Sequence, residues 1–223
     1  TQVSIVAVMI VMNNVLVFYG ARSKYGADIP LTVVGIVMKV FQIVISVVVG
    51  IAAGAQPIVG YNYGAGLYGR VKEIFKKMML AELAVGIVSC IGFECFPLKI
   101  IGLFGSENGL YNEFAVLSFR VFLGMIILCC LQKSASIFLQ SLGKPVLSMS
   151  LSLLRDFVLS VPLALILPGI FGVTGALYSA PAADIVSFAA AVFCIYHVFR
   201  EMKTEERKKE KSLKTSVCLS ILE

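Results

Sequence analysis

Charged residues are scarce in this chain. Only 14% of its 223 positions are Asp, Glu, Lys or Arg, while 59% are hydrophobic. A soluble domain carries about 25% charged and roughly 45–50% apolar residues. Too little polar surface remains to clothe a water-soluble globule of this size, so lipid must cover the rest. The mean hydropathy of +0.94 agrees. The net charge of +6 sits between and after the apolar runs, a distribution that argues against a nucleic-acid partner. His197 is the only histidine, and none of the six cysteines falls in a CxxC or Cys/His cluster. That excludes a zinc site and a disulfide framework; cysteine reads instead as a small buried hydrophobe. There is no GxxxxGK[ST] loop, hence no ATP hydrolysis on this chain, and no Ser/His/Asp grouping. A TVGYG-type selectivity filter is also missing. The chain reads as neither an enzyme nor a metal protein, and needs no cofactor.

What is there is long apolar runs. A spanning helix needs about 20 mostly apolar residues, and six candidates emerge: Gln2–Tyr19, Leu31–Pro57, Ile74–Phe96, Asn112–Ser141, Val146–Leu167 and Val173–Phe199. Turn chemistry separates them at Gly26–Pro30, Tyr61–Gly69, Pro97–Gly109, Gly143–Pro145 and Pro168-Gly169. The second and fourth runs are long enough to tilt or protrude. The expected fold is an all-α bundle of six transmembrane helices over residues 1–200, followed by a charged tail over 201–223 that reads as a solvated helix extension. No signal peptide precedes Thr1, and the chain starts almost inside its first apolar run, so it reads as a fragment.

Basic residues set the topology. Arg70, Lys72, Lys76 and Lys77 follow the second run, Lys144 the fourth, and Arg200, Lys203, Arg207, Lys208, Lys209, Lys211 and Lys214 the sixth. The opposite side holds Arg22, Lys24 and Lys99. The positive-inside rule makes the richer side cytoplasmic, with both termini of this segment there, in a multi-pass protein of the plasma membrane.

Polar groups within spans are expensive and face the bundle interior or a water-filled cavity. Here they are Asn13 and Asn14, Lys39 and Gln42, Arg120, Gln132 and Lys133, Arg155 and Asp156, and Asp184. At about 1.5 Å per residue, Arg155 lies roughly 14 Å from the cytoplasmic end of its span and Asp184 roughly 18 Å from the outer end of its own. Both are near mid-membrane, and Lys133 and Asp156 share a similar depth. Two pairs are therefore expected, Arg155 with Asp184 and Lys133 with Asp156. They either tie helices together or line a central cavity and change partners as protons or substrate bind. Lys39 and Arg120 lie nearer the outer face and can snorkel to headgroups. One of Asn13 and Asn14 is expected to face inward, because adjacent residues point roughly 100° apart on a helix. Gly50 and Gly54 form a GxxxG packing face. Pro162 and Pro181 are expected to kink their helices.

The run Gly54-Ala55-Gln56-Pro57-Ile58-Val59-Gly60-Tyr61-Asn62-Tyr63-Gly64-Ala65-Gly66, followed by Arg70-Val71-Lys72, reads as a helix end opening into a tight loop. It resembles a signature of multidrug and toxic compound extrusion (MATE) transporters, at the end of their eighth helix. Its marked residues are Gly54, Gln56, Pro57, Gly60, Tyr61, Asn62 and Gly64. Three further stretches are similar to that family in the same order: Tyr25-Gly26-Ala27-Asp28 before the eighth helix, Phe138 to Pro145 at the end of the tenth, and Gly172 to Ala176 with Pro181 and Asp184 at the start of the twelfth. The likeness is greatest to the bacterial branch that includes staphylococcal-type multidrug exporters.

The resemblance implies two six-helix lobes about a pseudo-two-fold axis, with a substrate cavity between them that opens alternately to either side. It implies exchange of protons or sodium for drugs or organic cations. This chain would supply the second lobe, helices seven to twelve, and its partners would be membrane lipid, the drug and the missing N-terminal lobe. Some relatives carry acidic residues for the coupling cation in helices seven and ten. Here the seventh offers Asn13 and Asn14, and the tenth no carboxylate beyond Glu113, leaving Asp184 and Asp156 as acidic candidates. Two alternatives stay open. One is a lipid-linked precursor flippase, favoured by a basic cavity of Lys39, Arg120, Lys133 and Arg155. The other is a non-transporting half.

Overall fold

The computed structural model describes residues 2–104 and 109–222, with side chains described for 6–104 and 109–208. The described residues are helical and include no strand. The helices are α1 Gln2–Gly20, α2 Asp28–Gly64, α3 Tyr68–Cys95, α4 Pro97–Gly102, α5 Gly109–Leu123, α6 Ile126–Ser141, α7 Pro145–Leu153, α8 Ser160–Phe171 and α9 Val173–Leu222, with a π-helical turn, Leu154–Leu159, joining α7 to α8.

These elements fall into six helical runs in the expected order. Four are long and apolar enough to cross a membrane. The α5–α6 pair makes a fifth, bent by 41°, and α1 is a shorter apolar helix. The fourth run is thus broken rather than continuous from Asn112 to Ser141. The break falls at Gly124, where a Cβ would stand 2.6 Å from the carbonyl oxygen of Arg120. Nor does the fifth run end at Leu167: α8 continues through Pro168 to Phe171. The expected kink at Pro162 takes the form of the π turn directly before it. Proline has no N–H to donate and its ring presses on the carbonyl four residues back. A wider turn at Leu154–Leu159 relieves both, and Ser160 Oγ donates to the Arg155 carbonyl at 2.8 Å.

The glycine-rich signature is helical rather than a loop. Gly54, Gln56, Pro57, Gly60, Tyr61, Asn62 and Gly64 all lie on α2, not in a loop. Asn62 is buried and its Nδ2 donates to the Ile58 carbonyl at 2.8 Å, one turn back, so its amide serves the helix. The turn proper is confined to residues 65–67, where Gly66 adopts φ 73°.

Ion pairs show which loops share an end. Lys72 meets Glu206 at 3.5 Å and Lys144 meets Glu201, so the basic segments after the second, fourth and sixth runs gather at one end. At the other, Lys24 meets Glu113 at 2.7 Å, and Tyr25 donates to the same carboxylate at 3.0 Å. The charged segment from 201 is not a unit apart. It continues α9, and its Met202 is buried in the basic-end core.

Two apolar cores stack along the bundle. One, away from the basic end, gathers Leu16, Val37, Phe114, Phe119, Ile126 and Leu177. The other gathers Val59, Val71, Phe138, Leu139, Val198 and Met202, with Phe75, Phe138 and Phe199 in edge-to-face and tilted ring contacts. A polar layer separates them. Along four of the runs the layer's residues fall where one core stops and the other begins: Glu82 on α3, Gln132 to Ser134 on α6, Arg155 and Asp156 in the π turn, and Asp184 and Ser187 on α9.

Candidate functional site

Four charges from three elements meet in that layer. Arg155 Nε donates to Asp184 Oδ1 at 2.8 Å, and Nη1 of the same guanidinium donates to Asp156 Oδ1 at 2.8 Å. Lys133 Nζ closes the chain on Asp156 Oδ2 at 3.1 Å. The result is a neutral row, Lys133–Asp156–Arg155–Asp184, bridging α6, the π turn and α9. Its side chains are nearly buried: 3% of Asp184, 6% of Asp156, 12% of Arg155 and 16% of Lys133 is exposed. Each ion has its counter-charge, the condition for tolerating charge away from water.

Local structure dictates why these residues meet. The π turn carries adjacent Arg155 and Asp156 into the same layer. π turns recur at functional sites because they re-aim side chains within a helix. Phe41 on α2 lies against the other side of Arg155, its ring centroid 5.9 Å from the guanidinium carbon. Cys129, one turn before Lys133 on α6, is fully buried. Behind the charges Gln132 is buried with its Oε1 unpartnered, its amide nitrogen 3.5 Å from Ser136 Oγ.

Both expected pairings are therefore present in the structure. Gln132 is in the same layer, while Asn13, Asn14, Lys39 and Gln42 are exposed and outside it. Neither asparagine faces the core of this lobe. α1 packs through Met12, Val15, Leu16 and Tyr19, a narrow i, i+3, i+4, i+7 stripe. Asn13 and Asn14 both fall off it, because α1 is covered on one side only. Arg120 pairs with Glu94 at 3.4 Å near the far end of α3.

Sequence reasoning missed Glu82. It is fully buried on α3, in the same layer, with both carboxylate oxygens unpartnered. The signal was present: an acidic residue in the middle of an apolar run. Phe41 was missed as a neighbour of Arg155 because an apolar run does not mark which of its members touch a charge.

Comparison with known proteins agrees with this architecture. The MatE family model matches residues 4–166. Multidrug export protein MepA of Staphylococcus aureus strain N315 is 23% identical over 189 residues, covering 84% of this chain and 39% of that protein. MepA of Staphylococcus saprophyticus is 22% identical with the same coverage. The chain thus spans about two fifths of these relatives' length. Among solved structures, an outward-facing MATE family transporter of the MOP superfamily superposes with a TM-score of 0.79 at 15% identity, over 91% of this chain and 44% of that one. A MATE structure in the bent conformation gives 0.81 at 16%, over 92% and 44%. A MOP superfamily transporter from Pyrococcus furiosus, described as having a binding pocket of reversed polarity, gives 0.81 at 15%, over 91% and 44%.

Proposed function

From the premise that this chain belongs to the MatE family, we propose that it is one lobe of a membrane exporter that expels drugs or organic cations. The exporter works by alternating access, in exchange for protons or sodium, with the basic end in the cytoplasm. It is a secondary transporter rather than an enzyme. Its partner is an N-terminal six-helix lobe that covers the other side of the substrate path. The observation that carries this reading is the neutral row Lys133–Asp156–Arg155–Asp184 set between two apolar cores. Charge buried at mid-bundle is too costly to keep as packing alone when apolar residues of similar volume serve as well or better. Such groups mark substrate and ion pathways. A row in which Asp156 serves two cations can give up one partner and keep the other.

The flippase reading rests on a basic cavity and draws less support. Lys133 and Arg155 are neutralised within the row, Arg120 is paired to Glu94, and Lys39 is exposed.

Efflux of a fluorescent cation such as ethidium tests the proposal. Cells produce this chain alone, a first-half lobe from a relative alone, or both together. Export only in the combined cells supports it. Export by this chain alone overturns the two-lobe arrangement. No export from the pair, where the same first half works with its own second half, overturns the drug-export reading and leaves a non-transporting half.

A further inference from the structure

The seam between α3 and α6 buries an acid that the charge row does not touch. Glu82 has no exposed surface, neither of its oxygens has a hydrogen-bond partner, and no cation pairs with it among the described residues. The polar side chain beside it is Ser134 on α6, whose hydroxyl is itself fully buried and unpartnered. Cys130, one turn earlier on α6, is the titratable group that shares its surroundings. The seam is tight. One turn along from Glu82, a Cβ on Gly86 would stand 3.1 Å from the Cα of Ile127 on α6.

Other charged groups on the surrounding elements are engaged elsewhere. Lys133 on α6 is bound to Asp156, and Arg120 on α5 to Glu94, three turns further along α3. Glu206 on α9 is bound to Lys72 at the start of α3, and Lys99 on α4 lies over Phe96. On α2, Lys39 and Tyr61 are exposed and Tyr63 stacks on Tyr68. An ionised carboxylate at Glu82 would have no water and no counter-charge, and only the Ser134 hydroxyl as a donor beside it. An isolated ion in such surroundings costs far more than a folded chain can carry, and the group neutralises instead.

A proton or a metal cation could neutralise it. Hard cations such as magnesium and calcium collect about six or more oxygen ligands. Glu82 and Ser134 supply three, and carbonyls within the two helices are engaged in their own ladders. A proton needs one acceptor. We propose that Glu82 is a proton-binding site, carrying its proton while the α3–α6 seam is closed and releasing it to water only when that seam parts. Protonated, the carboxyl is a donor that the unpartnered Ser134 hydroxyl can accept from. Release leaves a carboxylate that stays ionised while water reaches it, so the proton is coupled to the separation of two helices. The site stands on this geometry alone; its use as the coupling step rests on the exporter reading above.

Infrared difference spectroscopy on the chain in phosphatidylcholine vesicles tests it, in potassium buffer at neutral pH. The expected result is a carboxylic-acid C=O band that is lost in Glu82→Gln, retained in Asp156→Asn and Asp184→Asn, and displaced in Ser134→Ala. Replacing potassium by sodium is expected to leave the band in place. A wild-type chain with no such band overturns the proposal, as does a band that sodium abolishes, which would make Glu82 a metal ligand. Circular dichroism checks that Glu82→Gln keeps its helix content. If that variant does not fold, the sodium exchange and the Ser134→Ala displacement decide alone. A chain that keeps the band yet exports nothing with a first-half lobe retains the proton site and loses the coupling role.

Discussion

Arg155 is held from two sides, and the two holds are not equivalent. Among the described residues Asp184 has Arg155 as its one cation, whereas Asp156 shares itself between Arg155 and Lys133. Removing one partner of a buried ion pair costs about 3–5 kcal/mol, because the other charge is stranded. Arg155→Gln, which leaves Asp184 without its cation, is therefore expected to destabilise the purified chain by an amount in that range, read as a lower thermal midpoint. Lys133→Ala costs less, since Asp156 keeps Arg155. Reversing both charges, Arg155→Asp with Asp184→Arg, recovers part of what either reversal loses; no recovery would mean the pair does not hold the folded chain together. This pairing was legible in the sequence because depth in a helix follows from counting residues, and opposite charges at one depth have few other places to go. Glu82 was not, since an acid without a cation at matching depth offers no pairing to look for. The outer clasp of Lys24 on Glu113 is of another kind, exposed on both sides. The hydrogen bond to Glu113, helped by Tyr25, raises the Lys24 ammonium above its ordinary 10.5. Its contribution is therefore complete below that pH and is lost as pH climbs through the raised value. A thermal midpoint followed into strong alkali should show a loss that Glu113→Gln removes; an unchanged profile in that variant would rule the clasp out.

At the scale of elements, backbone approach rather than hydrophobicity decides where the runs bend. α8 and α9 meet around Gly175, where a Cβ would lie 2.3 Å from the Leu167 carbonyl oxygen and 2.7 Å from the Pro168 nitrogen. Both are backbone atoms, so no side chain can turn aside. Gly175→Ala should force the helices apart and destabilise the chain by about 1–3 kcal/mol, the usual range for overpacking. A variant as heat-stable as the parent would show that the close approach is not kept. The six runs were legible in the sequence because stretches of that length and apolarity have one common fate in lipid. Their internal irregularities were not. The break at Gly124 depends on a local crossing of backbone atoms. The π turn adds one residue to a helical turn without altering the apolar pattern. The glycine-rich signature reads in sequence as a helix end opening into a loop because glycine and proline end helices in water, yet α2 runs on to Gly64. Within a bundle, a helix survives them when neighbouring side chains and carbonyls absorb the defect.

For the whole molecule, the decisive feature is a side left uncovered. Asn13, Asn14, Lys39 and Gln42 lie on helices built to cross lipid, yet all four are exposed. Polar and charged groups on a lipid-facing helix are costly, and they almost always turn to water or protein. Val47 on the same α2 is equally exposed but apolar, as a residue against lipid should be. Two kinds of exposed surface are therefore present, one suited to acyl chains and one to a wet cavity or a second lobe. With the native cysteines replaced, single cysteines at Asn13, Asn14 and Gln42 should react with a membrane-impermeant maleimide in vesicles containing this chain alone. A cysteine at Val47 should not. Adding a first-half lobe should slow labelling at the three polar positions and leave Val47 unchanged. Polar positions as unreactive as Val47 in the lone chain would mean that lipid covers that side, and a substrate path along it would then have no water to begin from.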